Sequence, residues 1–404
     1  MTVECFTQEN KEQGTARDTE SILRVLFITG ASHQTWMVNM NHYQRVYFLS
    51  RQTKLTVFGR KGADFSSSAA EGTEIIHAPF KGKLGVIFAC FFWTITKGRS
   101  KHYDIILTEP SKLCICGLFG KIILGAKWVM DVWDIPFRVG SRSKRPLQRC
   151  FSRVDRTIAR FLFRFADLFI LSILPDLEFA EFGVPTNIIL PLKNAIWLGS
   201  DTRRSLKQNH GRNSPFTILC MRSRFTYDMG LDLLAQAFDI LSSKYPYIVL
   251  IIVGEIPNDI RSQIELLIGR TNVRFYEFME HDELMSLVAS SGVCVIPFRN
   301  TTDLAQTHPI KVLEYLSYGA VVIAPDLPGI ASIIKHGENG LLFRSDDSAD
   351  LAEKLRMVYE NPKYAASIAS NATILCDEFD CRNKAKVIFG ALEKLCARPR
   401  TSVD

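Results

Sequence analysis

Residues 306–342 read QTHPIKVLEYLSYGAVVIAPDLPGIASIIKHGENGLL. A helix-forming run from Ile310 to Leu316 stops at Gly319 and gives way to 321–324, VVIA. An apolar run without alternation suits a strand buried on both faces, as in a parallel sheet. Residues 293–296 upstream and 340–343 downstream repeat the pattern, with a loop expected over 299–307. Proline at the first helical turn is well placed, because its missing N–H would be unpaired anyway, so the helix is expected to open at His308-Pro309. A loop that feeds a helix N-terminus at the edge of a parallel sheet presents free amides and the positive end of the helix dipole, the make-up of a diphosphate site. Glu314 lies about one and a half turns in. A carboxylate there can accept both hydroxyls of a ribose, although the spacing alone fits an exposed helix residue equally well.

Strand and helix patterns alternate in this way from Arg24 to about Arg356. Expected strands run from 25–29 to 187–190 in the first half and from 216–221 to 340–343 in the second. That order implies an α/β protein of two Rossmann-like, doubly wound domains facing across a cleft, with ligands at the carboxyl ends of the strands. Residues 1–20 read as an unstructured tail and 21–200 as the first domain. The polar stretch 201–214 reads as a linker and 215–376 as the second domain; 377–404 forms a final helix, returning to the first domain, and a tail.

The 404 residues are 47% hydrophobic and 23% charged, an ordinary globular balance. No apolar core of a secretory signal occurs in the first twenty residues, and the ten cysteines are scattered, which suits buried reduced thiols in the cytoplasm. No cluster has metal-ligand spacing, and neither a single-strand platform nor a reading helix for nucleic acid is present. The net charge of +7 is concentrated between Arg138 and Arg164, where Asp155 is the lone acidic residue. Arg149, Arg153, Arg156, Arg160 and Arg164 share one helix face, with Phe151, Val154, Ile158, Phe161, Leu162 and Phe165 expected opposite. A basic amphipathic helix reads as a membrane-surface contact. Residues 84–96, LGVIFACFFWTIT, are too short to span a bilayer and read as a core or interfacial helix.

Residues 306–342 resemble the long signature of glycosyltransferase family 4, of the GT-B fold: a Glu on a helix, a Gly, a strand, Gly-Ile, then Asn-Gly-Leu. Gly319, Gly329, Asn339 and Gly340 fall in register. The resemblance implies a hexosyltransferase acting on a UDP- or GDP-sugar, with retention of configuration and without cofactor or metal. Its acceptor would be a glycan or lipid-linked, in polysaccharide or glycolipid synthesis. The place of action would be cytoplasmic, at the inner face of the membrane. It also implies that Glu314 holds the ribose, that the segment His308, Pro309, Ile310, Lys311 and Val312 binds the donor, and that Arg224 grips the diphosphate. Two charged positions of the family differ. Gln306 stands where a Glu contacts the donor sugar, and Met229 replaces the Lys that partners the Arg, with Arg222 and Lys311 as the cations at hand to replace it.

In the first domain, which the resemblance assigns to the acceptor, the family's Gly-Gly pair and its following His align with Met40-Asn41 and Arg45 and do not carry over. Gly30 and Ser32 follow the first strand, and Glu109 follows the strand at 104–107. Asp131 and Asp134 are candidates for touching sugar or acceptor; a turn or helix cap is the plainer reading. The rival functions are a GT-B sugar-nucleotide epimerase and a non-catalytic GT-B partner subunit.

Overall fold

A computed structural model describes residues 22–30, 41–66, 68–80, 83–109, 112–132, 146–172, 182–197, 216–268 and 272–397. The chain divides into two compact units, Met1–Leu192 with Lys384–Asp404, and Lys193–Asn383.

In the first unit the elements follow as β1 Arg24–Ile28, α1 Asn41–Gln52, β2 Lys54–Gly59, β3 Glu74–His77 and α2 Lys83–Thr96. Then come β4 Ile105–Thr108, α3 Cys114–Leu124, β5 Lys127–Val132, α4 Pro146–Phe163, β6 Leu168–Leu171 and β7 Ile189–Pro191. All pairings are parallel, in the order β3-β2-β1-β4-β5-β6-β7. Strand order reverses beside β1, and right-handed crossovers then send the helices before and after that point to opposite faces. Alternation along β1 shows both faces filled. Val25 and Phe27 pack with Val46 and Leu49 of α1, whereas Leu26 and Ile28 pack with Val86 and Cys90 of α2. Trp128 and Met130 of β5 meet Ala159 and Phe163 of α4 on the α2 face.

The second unit runs β8 Thr217–Arg224, α5 Leu231–Lys244, β9 Val249–Glu255, α6 Asn258–Ile268, β10 Val273–Tyr276, α7 His281–Ser290 and β11 Val293–Val295. It continues with α8 Thr302–Ala305, α9 Ile310–Ser317, β12 Val322–Pro325, α10 Pro328–Ala331, β13 Leu341–Phe343, α11 Ser348–Glu360 and α12 Pro362–Leu375. The parallel sheet, β10-β9-β8-β11-β12-β13, again reverses beside its first strand. Ile218 and Cys220 of β8 face Leu234 and Phe238 of α5; Leu219 and Met221 face Leu313 and Tyr315 of α9. α13, Cys381–Ala397, starts in this unit, and from Lys384 onward it belongs to the first, where Ile388 and Leu392 join the β1–α1 core.

Several expected boundaries shift. The units part between Leu192 and Lys193, ahead of 201–214, which lies outside the described residues. The reason is local: Ile196 bridges Asp380, the Ile196 amide donates to the Phe379 carbonyl at 2.9 Å, and the Cys381 amide donates to the Ile196 carbonyl at 2.9 Å. Residues 193–197 are thereby stitched into the second unit. The expected loop 299–307 contains the one-turn helix α8, capped by the Thr301 hydroxyl, which accepts from the Leu304 amide. α9 opens at Ile310 with Pro309 as its N-cap, so the proline sits just outside the helix.

Gly117 shows how closely α3 lies on the sheet. A Cβ there would come within 2.1 Å of Trp128 Nε1, an atom that donates to Thr108 Oγ1 at 2.8 Å. Gly117→Ala is therefore expected to cost about 1–3 kcal/mol, read as a lower urea midpoint at unchanged m-value. An unchanged midpoint would show that the indole can move aside freely.

Candidate functional site

The carboxyl end of β8 carries Met221, Arg222 and Arg224, and its register against β9 shifts between Met221 and Arg224. Two glycines permit the local path. Gly254 has φ +139°, and a Cβ on it would lie 1.9 Å from the Arg222 carbonyl oxygen. Gly230 has φ +66° and would meet the Pro297 carbonyl oxygen at 1.8 Å, so α5 can begin directly against the end of β11.

The shift separates the two arginines. Arg224 is exposed at the strand end and pairs with Glu255 at 3.4 Å, the kind of surface pair that contributes little. Arg222 turns inward instead. Its guanidinium carbon sits 4.3 Å from the centre of the Phe298 ring, and its Nη2 is 3.0 Å from the Met229 sulfur. Among the described residues it forms no ion pair. Burial, its largest influence, holds the guanidinium below its ordinary pKa. The side chain that stands where the family has Lys is thus a thioether touched by a cation from seven residues upstream.

Lys311 of α9 lines the same small pocket as Arg222, Met229 and Phe298. Its Nζ lies 2.7 Å from Glu314 Oε2, and Glu314 is buried. The helix is fixed to β8 by Tyr315, whose phenol oxygen accepts from the Met221 amide at 3.0 Å. Tyr315 is fully buried, and that burial pushes its pKa well up, so it stays a neutral phenol. Arg222 from β8 and Lys311 and Glu314 from α9 are therefore brought together by two sequence-distant segments, with the leading amides of α9 nearby.

Other candidates of the second unit are placed differently. Gln306 is the C-cap of α8, and Gly329 lets α10 approach its backbone: a Cβ at 329 would fall 2.1 Å from the Thr307 carbonyl oxygen. His308 and Pro309 are buried; the His308 carbonyl accepts from Asn194 Nδ2 at 2.7 Å. Val312 is fully buried in the core with Leu313, so its expected donor contact is replaced by packing, and Ile310 is half-buried against the same core. Asn339 is also structural, donating to the Ile333 carbonyl and accepting from the Lys335 amide.

In the first unit the structure joins Gly30 to Glu109, whose carboxylate accepts from the Gly30 amide at 3.3 Å and from the Thr29 hydroxyl. Asp131 is not available to a substrate. It is fully buried, and Arg45 of α1 occupies both of its oxygens, with Nη2 at 3.0 Å from Oδ1. Arg45 is the partner that sequence reasoning missed: it follows Gln44 in a helix of mixed polar and aromatic residues, which gives no local sign of the pairing. Ser32 and Asp134 lie outside the described residues, as do the side chains of Arg149 and Arg153. Arg156 is partly buried and Arg160 exposed. Among the described residues no three His, Cys, Asp or Glu side chains are grouped to hold a metal ion, and the described cysteines are free.

Two parallel-sheet Rossmann-like units, the second with a cationic pocket at the carboxyl edge of its sheet, define the GT-B class. The match to a solved structure agrees: Anabaena HepE in complex with UDP and glucose superposes with a TM-score of 0.69 at 18% identity, over 92% of this chain and 100% of that one. Residues 202–374 match the family described as Glycosyl transferases group 1. An uncharacterized glycosyltransferase of Haemophilus influenzae is 24% identical over 168 residues, 40% of this chain and 45% of the relative, so the match spans about half of that protein's length. The N,N'-diacetylbacillosaminyl-diphospho-undecaprenol alpha-1,3-N-acetylgalactosaminyltransferase of Campylobacter jejuni is 21% identical over 308 residues, 71% of this chain and 76% of its own.

The Met221–Tyr315 bond can be tested alone. Tyr315→Phe leaves the buried Met221 amide unpaired and is expected to lower stability by about 1–3 kcal/mol. Chemical denaturation measures it; a loss under a few tenths of a kcal/mol would mean that the amide finds another acceptor.

Proposed function

We propose that this chain is a glycosyltransferase that moves a hexose-type sugar from a UDP- or GDP-sugar, bound by its second unit, to a glycan or lipid-linked acceptor. The observation that carries the donor half is Arg222: a partly buried guanidinium without an ion pair among the described residues, beside Lys311 and Glu314. A buried charge without a counter-charge is costly, and a bound anion relieves that cost. A sugar nucleotide brings a diphosphate for Arg222, Lys311 and the first amides of α9, and a ribose for Glu314.

In the transfer step the bond from the anomeric carbon to the diphosphate oxygen breaks, a bond to the acceptor hydroxyl oxygen forms, and the hydroxyl proton passes in the end to the departing diphosphate. Negative charge then grows on the departing diphosphate. Cations held in place before the reaction stabilise that charge more than the ground state, which is what accelerates the step. Lys311 lies within reach of Glu314, so the ammonium and the carboxylate balance each other's charge. Gln306 offers the sugar a neutral hydrogen-bonding group in place of a carboxylate. Retention of configuration is the outcome expected from the family resemblance. The acceptor class is supported by the Campylobacter relative, whose name specifies a diphospho-undecaprenol acceptor.

Calorimetry with UDP and GDP tests the donor half. Arg222→Ala is expected to weaken diphosphate binding about 10- to 100-fold, the scale of lost charge-assisted hydrogen bonds, and Arg224→Ala by less than about threefold. The reverse order would return the grip to Arg224. Glu314→Ala is expected to raise the donor KM; undiminished donor binding in that variant would sink the ribose assignment.

A further inference from the structure

The helices α2, α3 and α4 lie side by side on one face of the first sheet, with Phe91 of α2 and Phe119 of α3 in ring contact at 4.4 Å. Each buries one stripe against the strands. α2 turns Val86, Cys90 and Trp93 inward, and α4 turns Ala159, Leu162 and Phe163 inward. Their outward sides would ordinarily be polar. Instead α2 exposes Leu84, Phe88, Phe92 and Ile95, a helical stripe in which Phe88 and Phe92 are 69% and 72% exposed. Ile122 of α3 is 70% exposed, and α4 with its following turn exposes Val154, Ile158, Phe161 and Phe165. Of the apolar side chains expected opposite the arginines of α4, Leu162 is buried, whereas Val154, Ile158, Phe161 and Phe165 are exposed.

Monomeric proteins rarely carry so many large apolar side chains on one surface unless something covers them. The charge around them indicates what. α2 and α3 contain no acidic residue, α4 contains Asp155 alone, and Arg160 and Arg164 are exposed among the outward aromatics of α4. A protein partner of mixed surface charge would not require that bias; an anionic lipid surface does. No described helix is long and apolar enough to cross a membrane, so contact would be from one side.

We propose that the outward face of α2, α3 and α4 seats on an anionic phospholipid bilayer, with Phe88 and Phe92 entering the acyl boundary and Arg160 and Arg164 among the headgroup phosphates. This deepens the proposed function, since it places the enzyme where a lipid-linked acceptor resides, and it rests on that function only for its purpose. Neither arginine nor phenylalanine belongs to the donor pocket.

Sedimentation with vesicles of phosphatidylcholine, with and without phosphatidylglycerol, tests it on the full chain. The expected result is binding to the mixed vesicles and much weaker binding to the neutral ones. Phe88→Ser with Phe92→Ser should abolish binding; Arg160→Gln with Arg164→Gln should remove the preference for phosphatidylglycerol, by roughly fivefold for each charge. Thermal melts and calorimetry with UDP and GDP on the same variants report folding and the donor site. Loss of vesicle binding with donor binding intact supports the proposal. Absence of vesicle binding by the unaltered chain overturns it while leaving the transferase reading in place. Equal vesicle binding by folded variants, or a stable dimer that Phe88→Ser with Phe92→Ser converts to monomer in analytical ultracentrifugation, also overturns it.

Discussion

One buried hydrogen bond, from the Met221 amide to the Tyr315 phenol, joins the strand that carries Arg222 to the helix that carries Lys311 and Glu314. Nonpolar packing between the two segments sets distance but tolerates small rotations and slides. A directional bond at the foot of the pocket removes that freedom. It also explains why the residue beside Glu314 is a fully buried tyrosine: the ring fills the core, and its one polar atom meets an amide that the sheet leaves over.

Within each unit the described arginines divide into paired and unpaired sets. Arg45 has Asp131, Arg224 has Glu255, and Arg299 has Asp232 and Asp346. Arg222 has an aromatic face and a sulfur. Both are soft partners that tolerate a cation without cancelling its charge. A lysine at position 229 would place an ammonium against the Arg222 guanidinium; a methionine there permits the arginine to approach. Met229 and the inward turn of Arg222 are therefore parts of one arrangement.

The sheets were legible because unalternating apolar runs have few other uses in a chain of this composition: the expected strands 25–29, 293–296 and 340–343 meet β1, β11 and β13 to within a residue at an end. The candidate site was legible only where one residue carries the information. Glu314 could be placed from helix spacing and the family signature. Arg222 could not be ranked above Arg224, because the choice depends on a register shift and on Gly254, a backbone event with no side-chain pattern. Asp131 read as a candidate for touching sugar or acceptor, since its partner Arg45 lies 86 residues away in sequence. The boundary at Leu192 was hidden for the same reason: Ile196 is fixed by Phe379 and Cys381, a pairing that no local composition announces.

The first unit shows the same dependence on distant sequence at the level of whole faces. One face of its sheet is covered by α1 and by the end of α13, so Val25 and Phe27 are sealed in part by Ile388 and Leu392 from the far end of the chain. The other face is covered by α2, α3 and α4 in sequence order, and nothing from the described remainder of this unit covers their outer surface. A helix that needed only to seal the sheet would save its aromatics for the inner stripe, because an exposed phenylalanine adds no core and invites association. Phe88 and Phe92 have inward neighbours, Cys90 and Trp93, that already meet the sheet. Their retention on the outside is thus not a by-product of folding this unit, and its explanation has to be sought in what the surface contacts.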